Sequence, residues 1–220
     1  MNNRITHIIC LGLILAIFVA AAWLYPQLPE SVPSHWNAQG EIDGYMAKPW
    51  GVFLMPLITL AIYLMFFALP LISPHGFRME KFTSVVRVFQ TVMVLFMSLV
   101  TITTLLAARG DAVPISNITL GAVGMLLFVL GNYMGKLRKN FFIGIRTPWT
   151  LASDEVWART HRLGGWTFSI AGLLMMITSF TGANVEVLIW ICAGAALVPV
   201  LYSFILYRKL EGLGPDTEDS

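Results

Sequence analysis

Residues 140–165 read NFFIGIRTPWTLASDEVWARTHRLGG, a polar, aromatic and glycine-rich connector between two strongly apolar runs. Apolar runs need only be greasy, whereas a connector of this length carrying Arg146, Trp149, Asp154, Trp157, Arg159, His161 and Arg162 has work beyond joining two helices. The flanking runs set the fold. Six are long enough to span a bilayer, at 6–25, 50–72, 84–107, 115–135, 164–181 and 185–207, each near the ~20 residues that a membrane helix needs. None alternates with period two, which argues against a β-barrel. The chain is 57% hydrophobic and 12% charged over 220 residues, about half the charge of a soluble domain. The expected fold is an all-α integral membrane bundle of six helices, with an outer loop at 26–49 and an inner amphipathic helix near 154–163. The N-terminal run could be mistaken for a secretory signal, since Arg4 precedes it and Ala20-Ala21-Ala22 resembles a cleavage site. It is long for a signal and reads as a span.

Charge sets the expected orientation. Twelve of the fourteen Lys and Arg residues fall on one side of a six-span arrangement, leaving only Lys48 and Arg109 on the other. The positive-inside rule then puts both termini in the cytoplasm. Loop 26–49 faces outside with a net charge of −2, and connector 136–163 faces inside with +4. The overall charge of +2 is too small to suggest direct nucleic-acid binding. Cys10 and Cys192 both lie in apolar runs, so neither a disulfide nor a zinc site is expected.

The connector has local logic. Thr147-Pro148 interrupts any helix, because the residue before proline is driven out of the α region. Ser153 is a suitable N-cap, with Asp154 and Glu155 facing the helix dipole in the first turn. A helix over 154–163 pairs Glu155 with Arg159 at i, i+4 and places Trp157 over His161. Gly164-Gly165 then allows a bend into the fifth span. Read as a surface anchor, this helix lies on the inner leaflet with Trp157 dipping into lipid. Read as a binding site, Asn140, Arg146, Thr147, Trp149, Trp157, His161 and Arg162 converge on a ligand or anion, arginine supplying a bidentate fork. No second His or Cys lies near His161 in sequence to serve as nucleophile or metal ligand, so no catalytic residues are assigned and an enzyme is not expected.

Within the spans almost nothing ionises, which argues against an ion-coupled carrier. Arg87 and Glu186 sit near span ends. Gly124, Phe128, Gly131 and Gly135 form one helical stripe that admits a close neighbour, within the chain or in a homo-oligomer.

The outer loop reads PQLPESVPSHWNAQGEIDGYMAKP over 26–49. Its prolines favour extended backbone, and Asp43-Gly44 has turn chemistry. The expected reading is an ordered cap over the helix ends with Trp36 and Tyr45 packed inward. The candidate binding residues are His35, Trp36, Asn37, Glu41, Asp43 and Tyr45. Gln39-x-Glu41-x-Asp43-Gly44 resembles half of a calcium loop, but its first ligand is Gln39 and its twelfth position is Trp50. A single His35 does not make a zinc site. No metal and no cofactor are expected.

These two segments resemble known sequences. Asn140-Phe141-Phe142, Gly144-Ile145-Arg146-Thr147-Pro148-Trp149-Thr150-Leu151, Trp157, Arg159-Thr160-His161-Arg162 and Gly164-Gly165 resemble the signature of the SdpI family of bacterial membrane proteins. Leu28-Pro29, Val32-Pro33, His35-Trp36-Asn37, Gly40, Asp43-Gly44-Tyr45 and Lys48 resemble an uncharacterised domain often found at the N-terminus of such proteins. The resemblance implies two parts: a two-span region 1–72 with the outer loop, and a four-span region 73–220 with the connector 136–163. It also implies immunity to, or sensing of, a secreted membrane-active peptide toxin met on the outer face. A cytoplasmic repressor or an anionic lipid would be the partner within. The readings left beside it are a small-molecule or lipid transporter and a membrane enzyme using His161 and Arg146.

Overall fold

The computed structural model describes residues 3–37, 41–73, 82–181 and 185–212. Gln39, Gly40, Arg78 and Lys81, used in the sequence reading, lie outside them. The described chain is an α-helical membrane bundle of six apolar helices long enough to cross a bilayer. They are α1 (Asn3–Leu24), α2 (Lys48–Ile72), α3 (Thr83–Arg109), α4 (Ile115–Met134), α6 (Asp154–Thr181) and α7 (Val185–Leu210), with the short α5 (Pro148–Ala152) in the connector. Five of the six helices match the expected spans to within about three residues. The exception is α6.

The helix expected at 154–163 does form, but it does not lie apart on a surface. It continues without a break through Gly164-Gly165 to Thr181. The two glycines serve closeness instead of a bend. A Cβ on Gly165 would lie 2.9 Å from the Gly131 carbonyl oxygen, and one on Gly172 would lie 2.5 Å from that of Gly124. Residues seven apart on α6 thus face residues seven apart on α4, and the helices touch backbone to backbone. The glycine stripe of α4 is therefore occupied within the chain, by α6. Such close approach is how membrane helices associate without a hydrophobic driving force.

The bundle has two differently built ends. At the connector end, Phe66 and Leu69 of α2, Phe82, Val85, Val86 and Phe89 at the start of α3, Met134, Leu137 and Trp157 form one buried apolar cluster. It ties α2 and α3 to α4 and α6. At the other end Ala21, Leu24, Leu28, Val32, Val52, Leu105 and Ala108 pack together, joining α1, α2 and α3 with the loop that follows α1.

The loop at 26–49 is not irregular. Strands β1 (Ser31–Trp36) and β2 (Ile42–Ala47) pair antiparallel, with register shifts between Pro33 and Trp36. An isolated two-stranded hairpin is marginal, and this one is anchored. Val32 is fully buried, and Gly51 of α2 leaves it room, since a Cβ there would lie 2.7 Å from the Val32 Cβ. Lys48 adds a second anchor, its Nζ 4.8 Å from the Tyr25 ring centroid and 3.5 Å from Glu30 Oε1. Asp43 and Gly44 belong to β2 and not to the expected turn. Trp36 is half-buried, but Tyr45 is 61% exposed and does not pack inward. Strand alternation turns it away from the bundle.

Candidate functional site

The connector folds into a compact hydrogen-bonded knot against α6. Asn140 is fully buried and satisfies its own turn: Oδ1 accepts from the N–H groups of Phe142 and Ile143, and Nδ2 donates to the carbonyls of Arg138 and Ile143, all within 3.0 Å. Trp157, 2% exposed, donates its indole N–H to the Leu137 carbonyl at 2.9 Å. It does not dip into lipid, because that polar tip is needed inside. The Trp157 ring stacks on His161, with centroids 4.0 Å apart and planes 20° apart.

His161 is the centre of the knot and is wholly buried. Its Nδ1 lies 2.8 Å from the Trp157 carbonyl oxygen, an acceptor. Its Nε2 lies 3.0 Å from the Ile145 nitrogen, whose N–H is a donor. These partners fix one arrangement, in which Nδ1 carries the proton and Nε2 accepts. Protonating both nitrogens would set two donors face to face. The Ile145 carbonyl is held in turn by the Thr150 hydroxyl at 2.9 Å. Gly144 has φ +119°, and a Cβ there would collide with His161 Nε2. A glycine is therefore required where the backbone crosses the imidazole edge.

The same knot is fastened to α7. Thr147 caps α5, its Oγ1 accepting from the Thr150 N–H while the Thr150 hydroxyl accepts from the Thr147 N–H. Thr147 Oγ1 also meets Ser203 Oγ at 3.1 Å, and Trp149 packs against Phe204 with ring centroids 5.0 Å apart. Ser153 caps α6 as expected, accepting from the Val156 N–H at 3.5 Å, and donates to Glu211 Oε1 at 2.9 Å. Glu155 and Arg159 pair as expected at 2.5 Å.

The structure thus brings together Asn140, Thr147, Trp149, Trp157 and His161 of the candidate inner set. It leaves Arg146 and Arg162 exposed. Arg146 turns to the Phe141 carbonyl. Both ring nitrogens of His161 are committed to backbone, so the imidazole has no free atom for a ligand or proton transfer. Among the described residues no three His, Cys, Asp or Glu side chains come together as metal ligands would. Sequence reasoning missed Gly144, Thr150, Ser203 and Glu211. Gly144 and Thr150 stood within the motif, but the positive φ and the back-bonded hydroxyl show only in three dimensions. Ser203 and Glu211 lie more than fifty residues from their partners.

The outer set gathers on the hairpin. His35 Nδ1 lies 2.5 Å from Asp43 Oδ1, and Asn37 bonds Glu41 through both its side-chain oxygen and its amide. Both pairs are exposed and bridge β1 and the β2 side. Beneath them a cavity of about 850 Å³ opens between the hairpin and α2, α3, α4, α6 and α7. Its rim includes His35, Trp36, Asn37 and Trp50, and its wall includes Thr104, Thr119 and Val123. The two halves of the bundle, tied at the connector end, part here.

Residues 136–205 match the model of the SdpI/YfhL protein family, and residues 12–60 match a domain of unknown function, DUF1648. The first match covers the connector knot, α6 and most of α7. The second covers most of α1, the hairpin and the start of α2. The chain is 29% identical over 208 residues to the "Immunity protein SdpI" of Bacillus subtilis (strain 168), covering 94% of this chain and 98% of that protein. No solved structure matches. Knot and hairpin, the two segments that carry the resemblance in sequence, are thus the parts of the chain that the SdpI/YfhL family model and the DUF1648 model match.

Proposed function

We propose that this protein protects a bacterium against a secreted, membrane-active peptide toxin and reports its presence. The observation that carries the reading is the match, nearly end to end, to a relative named as an immunity protein. The twelve-to-two split of basic residues supports residence in the cytoplasmic membrane with both termini inside. The hairpin is then outside, where a secreted toxin arrives, and the exposed bases Arg138, Arg146, Arg162 and Arg208 face anionic lipid or a cytoplasmic repressor. The separate matches at 12–60 and 136–205 support a division into a two-span region 1–72 and a four-span region 73–220.

The test is survival of a sensitive bacterium against a panel of secreted peptide toxins, with and without this chain. Protection against at least one toxin is expected. In that case the double variant Glu41→Gln with Asp43→Asn should protect less, and its protection should depend less on salt, because exposed charges are screened beyond about 8 Å at physiological ionic strength. Equal killing across the panel, with the protein present in the membrane, refutes the reading.

A further inference from the structure

The cavity under the hairpin has the chemistry of a peptide site. Its volume, about 850 Å³, falls within the ~300–1,000 Å³ of ligand pockets. Its walls are mainly aliphatic, with polar groups at defined places. In the apolar helices of this protein, threonine hydroxyls at 59, 91, 101, 103, 167 and 178 all return to a carbonyl three or four residues back. Thr104 of α3 and Thr119 of α4 line the cavity, and among the described residues their hydroxyls have no such bond. Two unspent hydroxyls on facing helices suit the backbone amides of a peptide and have nothing to offer an acyl chain.

The charge at the rim is one-sided. Among the described side chains at this end, Lys48 is buried and paired with Glu30, and Arg109 is paired with Asp111. Both cations are thus already spent. Glu41 and Asp43 remain on the exposed hairpin, bonded to the neutral Asn37 and to His35, both of which line the cavity rim. Trp36 and Trp50 stand on the same rim, where an aromatic face can receive a cation or an apolar side chain.

We propose that this cavity receives the apolar segment of a cationic amphipathic peptide. Thr104 and Thr119 hydrogen-bond its backbone, and Glu41 and Asp43 hold its basic residues at the rim. The proposal rests on the immunity reading and names where the toxin is met.

The experiment uses the full chain in phosphatidylcholine nanodiscs. The probe is a synthetic leucine–lysine amphipathic peptide carrying one photoreactive leucine. Crosslinks should concentrate on Leu54, Val100, Leu120 and Val123. Val123→Trp, which fills the cavity, should lower them about tenfold, as a loss of ~1.4 kcal/mol in binding would. Thr104→Val with Thr119→Val, which keeps the shape, should lower them several-fold and leave the unfolding temperature unchanged, so a misfolded tryptophan variant would not leave the question open. The same peptide with glutamine for lysine should label weakly. Crosslinks spread over the lipid-facing helices overturn the proposal. So does a photoreactive phosphatidylcholine that labels the cavity and is not displaced by the peptide. Failure here is separable from failure of the immunity reading. If Val123→Trp protects cells as well as the parent does, protection stands and this site falls. If the cavity binds the probe but the cells die, the site stands and protection falls.

Discussion

Replacing His161 by alanine measures whether the connector is a lock or a ligand site. The imidazole is fully buried, stacked on Trp157 and bonded at both nitrogens. Removing it orphans the part-buried Ile145 N–H, at a cost of about 1–3 kcal/mol. The Trp157 carbonyl lies in α6 and already belongs to a helical ladder, so it adds little. Losing the ring and its stacking contact leaves a void worth roughly 2–3 kcal/mol more. The expected loss is therefore about 3–6 kcal/mol of stability. His161→Gln should recover part of this, because its amide oxygen can accept from Ile145. Arg146→Ala, an exposed change, should stay within about 0.5 kcal/mol of the parent. The assay is denaturant unfolding in mixed micelles. Survival of toxin-treated cells is scored beside it and corrected for the amount of folded protein. A His161→Ala protein as stable as the parent would refute the lock. If that stable variant also failed to protect, the imidazole would be acting on a ligand after all.

Gly144→Ala should loosen the same knot, since it strains a φ of +119° and drives a Cβ into the imidazole; a loss of about 2–4 kcal/mol in the same unfolding assay is expected. Gly172→Val should part α4 from α6, because even a Cβ there lies 2.5 Å from the Gly124 carbonyl oxygen and the Phe128 nitrogen. Spin labels on the two helices should report a wider separation, and an unchanged distance would show that the seam yields elsewhere. Orientation can be read with cysteines at exposed positions, in a background where Cys10 and Cys192 are alanine. A membrane-impermeant thiol reagent should label Tyr45→Cys from outside and spare Arg146→Cys, and the reverse pattern would overturn the sidedness.

The parts of the fold that were legible in the sequence are those governed by local rules. Hydrophobic run length placed the helices. The i, i+4 spacing placed Glu155 on Arg159 and Trp157 on His161, and Ser153 and Thr147-Pro148 marked helix limits correctly. What escaped depends on contacts far apart in the chain. Gly164-Gly165 reads as a bend when taken alone, and becomes a packing surface only once Gly131 of α4 lies against it. Trp157 reads as a lipid anchor until the Leu137 carbonyl appears beside its N–H. The hairpin was hidden for a related reason. SVPSHW and IDGYMA lack clean alternation, and what holds them together is Val32 in a helical core, which no strand pattern reports.

The two ends of the bundle differ in what they leave unspent beside open volume, since the unpartnered Thr160 hydroxyl at the connector end is wholly enclosed, and this moves the search for a ligand away from the segment that first drew attention. At the connector end the polar groups of Asn140, Thr147, Thr150, Trp157 and His161 are matched to one another or to backbone. Buried groups matched in this way specify a structure, and they have little left with which to bind anything else. At the hairpin end the helices separate, Thr104 and Thr119 line open volume, and the carboxylates of Glu41 and Asp43 have no strong cation between them. The Trp157 and His161 of the motif are thus accounted for by folding, while its Arg146 and Arg162 stay exposed. On the proposal made above, it is the plainer residues under the hairpin that recognise a partner, held at a fixed spacing because the opposite end is locked.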